Sequence, residues 1–180
     1  MNETISELEQ ISAKTKETFG QFSSEQINWK PNAESWSIGQ CFEHLILTNN
    51  QMLEAIEKVA NGKHQNSFWE NWSPFSGFLG NFLNKSMKSD EKKFKAPSKT
   101  IVPPSNIDGK IIEQFIENNQ KITKIFAKLE GVDLKKTVIT SPFMSLMTYS
   151  LADAVTILVE HEKRHFRQAE RVLQTEGFPK

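Results

Sequence analysis

At 180 residues the chain is long enough to bury one hydrophobic core of ordinary size, and 37% apolar against 24% charged residues is the balance of a soluble globular protein. Lys plus Arg and Asp plus Glu each total 22, and this zero formal charge argues against a phosphate-binding surface, so no nucleic-acid partner is expected. Cys41 is the only cysteine, which excludes an internal disulfide framework, and no stretch approaches the ~18 apolar residues of a membrane span. The opening MNETISELEQ lacks the basic start and apolar run of a signal peptide, so the expected compartment is the cytoplasm, with no membrane partner.

Four stretches carry helical periodicity, and no block repeats. The first runs from about Glu3 to Phe22, with Ile5, Leu8, Ile11 and Phe19 on one face. Residues 23 to 35, polar and containing Pro31, read as a loop. The second helix opens at Trp36-Ser37-Ile38-Gly39-Gln40, where Ser37 and Gln40 form a capping-box pattern. Its stripe is Ile38, Cys41, Phe42, Leu45, Met52, Leu53 and Ile56, and Gly62 is a plausible stop.

Residues 63 to 106 form a long crossover. Its first half is aromatic (Phe68, Trp69, Trp72, Phe75, Phe78, Phe82), with a short helix expected between Pro74 and Met87. The basic run Lys85 to Lys99 is interleaved with Ser, Asp90 and Glu91 and reads as a solvated loop, and the stretch through Pro97, Pro103 and Pro104 should be extended. The third helix spans about Ile107 to Leu129, and residues 131 to 149 read as a loop rich in Thr, Ser and Met. The fourth helix begins near Ser150, whose Ser-Leu-Ala-Asp offers a cap, and continues through Leu158, Ala169 and Val172 toward Gly177. Four such amphipathic helices bury their stripes best against one another. The expected fold is all-α, one four-helix-bundle domain over residues 1–180, with a crossover long enough to join parallel neighbours.

His161 and His165 are four residues apart on the fourth helix, which puts both imidazoles on one face at the spacing needed to hold one ion. On its own such a pair is equally the mark of a solvated helix face. Here both positions fall on the inward stripe, and His44, three residues after Cys41, lies at the edge of the second helix's stripe. Burying three imidazoles without a common partner is costly, so the three together point to a metal site. His64, just past Gly62, reads as exposed loop.

The segment Trp36-Ser37-Ile38-Gly39-Gln40-Cys41-Phe42-Glu43-His44-Leu45 resembles the second-helix signature of the DinB-like proteins, the superfamily that contains the bacillithiol S-transferases. The segment His161-Glu162-Lys163-Arg164-His165-Phe166-Arg167-Gln168 is similar to the other family signature, and Trp29-Lys30-Pro31 resembles its run-in. The resemblance covers essentially the whole chain. It implies a DinB-like four-helix bundle with the long crossover between helices 2 and 3. It also implies one divalent metal ion, nickel or zinc first and iron or manganese after, held by His44, His161 and His165.

Three neutral imidazoles leave an ion at least one open position, the pattern of a catalytic site. A thiol or water entering there loses its proton more readily. Three readings follow: thiol transfer from a small thiol of the bacillithiol type to an electrophile, metal-dependent hydrolysis with Glu162 or Glu160 as base, or metal binding in a stress response without turnover. Glu43, Glu160 and Gln168 are placed to orient the imidazoles through their free N–H groups. Cys41 reads as packing, Arg164 and Arg167 as helix-surface residues, and the aromatic crossover as a cover for the bundle, a pocket wall or a homodimer face.

Overall fold

The computed structural model describes residues 1–65, 67, 70 and 99–180 of the protein. Among these are five α-helices: α1 (Asn2–Phe19), α2 (Ser24–Asn28), α3 (Ile38–Ala60), α4 (Ile111–Ala127) and α5 (Leu151–Leu173). A 3-10 turn at Lys99–Ile101 precedes α4, and two short strands, β1 (Val138–Thr140) and β2 (Thr148–Ser150), lie between α4 and α5. The aromatic run from Phe68 to Phe82, the helix expected between Pro74 and Met87 and the basic run up to Ser98 lie outside the described residues.

The helix ends follow from local chemistry. The α1 helix stops at Phe19 rather than Phe22, because Gly20 follows and its N–H closes the last turn on the Lys16 carbonyl. The polar stretch expected as loop holds one helix, α2. Its Ser23 and Gln26 make a capping box, with Gln26 N–H donating to Ser23 Oγ at 3.3 Å and Ser23 N–H to Gln26 Oε1 at 2.8 Å. The same device opens α3, where Ser37 and Gln40 exchange bonds of 3.1 and 3.2 Å. The α4 helix starts at Ile111, not Ile107, because Asp108 turns the chain by accepting from the N–H groups of Lys110 and Ile111. At α5, Ser150 accepts from Asp153 N–H at 3.1 Å.

The four long helices form the bundle. Principal packing is α3 on α5, α3 on α4 and α1 on α4, with α1 lighter on α5, so α1 and α3 face each other across one diagonal. Direction can be read from the contacts. Phe42 meets Phe115 and Asn49 meets Asn118, so α3 and α4 advance together and are parallel, as the long crossover requires. His44 lies by His165 while Asn49 bonds Glu162, so α5 runs against α3. The core between them holds Phe19, Phe42, Phe115, Phe126, Leu8, Ile38, Leu45, Ile122 and Leu158, each side chain worth ~1.5–3 kcal/mol of burial.

The loop expected over residues 131 to 149 contains an antiparallel ribbon, with Ile139 opposite Tyr149, which leads directly into α5. His64 is not exposed loop. It is half-buried, with Nε2 3.1 Å from the Val138 carbonyl and 3.8 Å from Glu70 Oε2, and Glu70 in turn accepts from the N–H and hydroxyl of Thr140. The beginning of the crossover is thereby pinned to β1.

Gly39 sits where α3 crosses α2 and the segment before α4. A Cβ there would lie 2.8 Å from Cγ2 of Ile27 and 3.0 Å from Cβ of Ile107, both in the core. Helix propensity alone makes Gly39→Ala stabilising by ~1 kcal/mol. Overpacking predicts the opposite sign, a loss of about 1–3 kcal/mol in urea unfolding.

Candidate metal centre

His44 projects from the second turn of α3, His161 and His165 from successive turns of α5, and the antiparallel packing brings all three to one place. Their ligand-capable atoms all lie within 4.8 Å of one another. Ring centroids are 4.6 Å apart for His161 and His165, 4.7 Å for His44 and His165, and 5.1 Å for His44 and His161. Cys41, one turn before His44, is buried and not a member of this group. Burial pushes its thiol up to about 12, so it is a small apolar core residue.

The tautomer of His44 follows from its partner. Nδ1 is 2.7 Å from the Ile101 carbonyl, which can only accept, so Nδ1 carries the proton and Nε2 presents a lone pair. That lone pair faces Nε2 of His161 at 3.3 Å. Two nitrogens at ~2.1 Å from one tetrahedral ion are separated by about 3.4 Å, so the spacing suits a shared ligand set. His165 Nδ1 is buried with no hydrogen-bond partner among the described residues, while the Gln168 side chain lies close enough to the ring to favour its charged form.

All three rings are held neutral. Burial is the first cause for each: it lowers His44 against the opposing bond from Ile101, takes His161 down to about 3, and takes His165 well below its ordinary value. Mutual repulsion among the imidazoles and the charge of Arg164 push His161 and His165 further the same way. Part of the His161 surface stays accessible to solvent, whereas His44 and His165 are closed in. Trp36, in the residue before the α3 cap, walls one side. Its ring stacks on His165 at 5.7 Å and 21° and tilts against His44 at 5.0 Å and 58°.

Of the other expected site residues, Gln168 lies beside the His165 ring, whereas the three carboxylates are not gathered here. Glu162 is fully buried, and both its oxygens are occupied, Oε1 by Asn49 Nδ2 at 2.8 Å and Oε2 by Asn119 Nδ2 at 3.0 Å. Glu160 accepts from Lys163 at 3.1 Å, and Lys163 also donates to Glu7 at 2.7 Å. Glu43 is half-buried, which raises its carboxyl, and among the described residues it has no hydrogen bond to an imidazole. Two contributors escaped the sequence reading. Ile101 acts through a backbone carbonyl, which no side-chain pattern signals; Trp36 stood in the quoted motif but only its position beside two imidazoles gives it a role.

The family model described as DinB superfamily matches residues 7–169 of the chain. No curated protein and no solved structure matches it.

The site sets opposed pH slopes in the metal-free protein. His161 has a folded value of about 3 against 6.5 ordinarily, so the unfolded chain binds more protons in that window. Its contribution is present above pH 6.5 and is lost as pH falls toward 3. Glu162 is raised from 4.5 to about 8, chiefly by burial, so its contribution is present below pH 4.5 and is lost as pH rises to 8. In urea unfolding at stepped pH, His161→Asn should flatten the profile between pH 3 and 6.5, and Glu162→Gln between 4.5 and 8.

Proposed function

We propose, from the premise that this chain belongs to the DinB superfamily, that it is a metal-dependent enzyme transferring a small thiol of the bacillithiol type to an electrophile. The carrying observation is the meeting of three neutral imidazoles, with the His44 lone pair already turned toward His161. His44, His161 and His165 would hold one divalent ion, nickel or zinc before iron or manganese, since imidazole suits all of these. Such an ion lowers the pKa of a thiol or water that reaches it.

The chain's own residues do the rest. Ile101 fixes the His44 tautomer; Trp36 and the buried faces of His44 and His165 close the site on their sides. What weighs against hydrolysis assisted by a carboxylate is the engagement of the two groups it would use: Glu162 and Glu160 are held by Asn49, Asn119 and Lys163. A metal ion ionises thiol and water alike, so the choice between the two nucleophiles falls to the test below. The core draws on residues from Leu8 to Val172, and we read residues 1–180 as one domain with small molecules as its partners.

The test is thiol consumption by the metal-loaded chain with monochlorobimane as electrophile. Metal-dependent loss of bacillithiol, falling about 100-fold or more in His165→Ala, is the expected result. Turnover of esters or amides without added thiol would replace this reading with hydrolysis. Tight metal binding with neither activity would leave a metal-binding protein.

A further inference from the structure

Beside the imidazoles, the bundle carries a second polar cluster that the proposed chemistry does not use. Glu162 follows His161, so it leaves α5 about 100° around the helix axis from it. Asn49 of α3 and Asn119 of α4 donate to its two oxygens at 2.8 and 3.0 Å. Asn49 also donates to Asn118 Oδ1 at 3.1 Å, Asn118 to Asn50 Oδ1 at 2.9 Å, and Asn119 to Ser12 Oγ of α1 at 3.1 Å. One carboxyl group therefore ties α5 directly to α3 and α4, and through Asn119 to α1. Asn49 and Asn119 direct both N–H donors into this set, and their own Oδ1 atoms are buried without a partner among the described residues.

Such a network is weak support for stability, since apolar residues of the same volume serve as well or better. What it supplies is uniqueness. An apolar stripe tolerates rotation and sliding, whereas amides meet a carboxyl group at one height and one rotation. The requirement is severe at a metal site, where ligand atoms must be held to ~0.5 Å. Rotating α5 by about 20° would carry an imidazole nitrogen roughly 6 Å from the axis through about 2 Å.

We infer that Glu162, held by Asn49 and Asn119, is a positioning residue that sets the rotation and height of α5 so that His161 and His165 meet His44. The purpose assigned to it rests on the metal reading above; its geometry rests on the hydrogen bonds alone.

The experiment compares the full chain with Glu162→Gln, Glu162→Leu and Asn119→Ala. It reads the histidine-ring proton–nitrogen correlations of the metal-free proteins, then titrates Co²⁺ and follows its visible absorption. Glutamine keeps the shape and can return an N–H to an orphaned asparagine oxygen, so its ring resonances should match the parent and its cobalt affinity stay within about threefold. The leucine and alanine variants should shift the His161 and His165 resonances, change the cobalt bands and weaken cobalt binding by about tenfold or more. The inference is overturned if those variants fold and keep the parent's ring resonances and cobalt affinity. If the leucine variant does not fold, Asn119→Ala decides, because it leaves the Asn49 contact in place. If the parent takes up no cobalt, the metal reading falls, while the ring resonances still decide whether Glu162 positions the histidines.

Discussion

Two imidazole nitrogens held 3.3 Å apart inside a helix bundle constrain everything around them. If both rings were charged they would repel at short range in a medium that screens poorly, and if both were neutral with lone pairs facing they would lack a donor. The protein settles the first problem by burial, which keeps the three rings uncharged. The second is met either by a proton on His161 or by a cation between the rings. The third ring makes the cation the fuller solution, because one ion can accept a lone pair from each of the three residues, whose ligand atoms lie within 4.8 Å of one another.

The topology exists in a form that allows this meeting. Parallel α3 and α4 require a long return, and that return ends in the 3-10 turn whose Ile101 carbonyl orients His44. The segment that permits the helix order thus also prepares the first ligand. Antiparallel α5 then brings two imidazoles, one turn apart, to the level of the third. Trp36 closes the wall from the run-in to α3, where the capping box of Ser37 and Gln40 fixes the helix start and hence the height of His44.

Much of this was legible in the residues, and the division has a physical basis. The spacing of His161 and His165, the stripe before His44 and the caps at Ser37 and Ser150 are local signals, and each lies where the sequence reading put it. The capping box at Ser23 was equally local but belongs to a helix of five residues, too short to show periodicity. The β1–β2 ribbon has strands of three residues, below the length at which alternation can be read. The carbonyl of Ile101 on His44, the stacking of Trp36 on His165 and the engagement of Glu162 by Asn49 and Asn119 depend on contacts between residues 43 to 129 positions apart. No local pattern encodes those distances. Glu162 shows the consequence: its place between two histidines suggested a base, while the fold gives its oxygens to two amides.

The central claim is most directly tested by X-ray absorption at the metal edge of the zinc- or nickel-loaded protein. Three imidazole nitrogens at ~2.0–2.1 Å, with the multiple-scattering pattern of histidine rings and no sulfur from the protein, is the spectrum expected. A shell with fewer than three imidazoles, or one containing the Cys41 sulfur, would contradict the account.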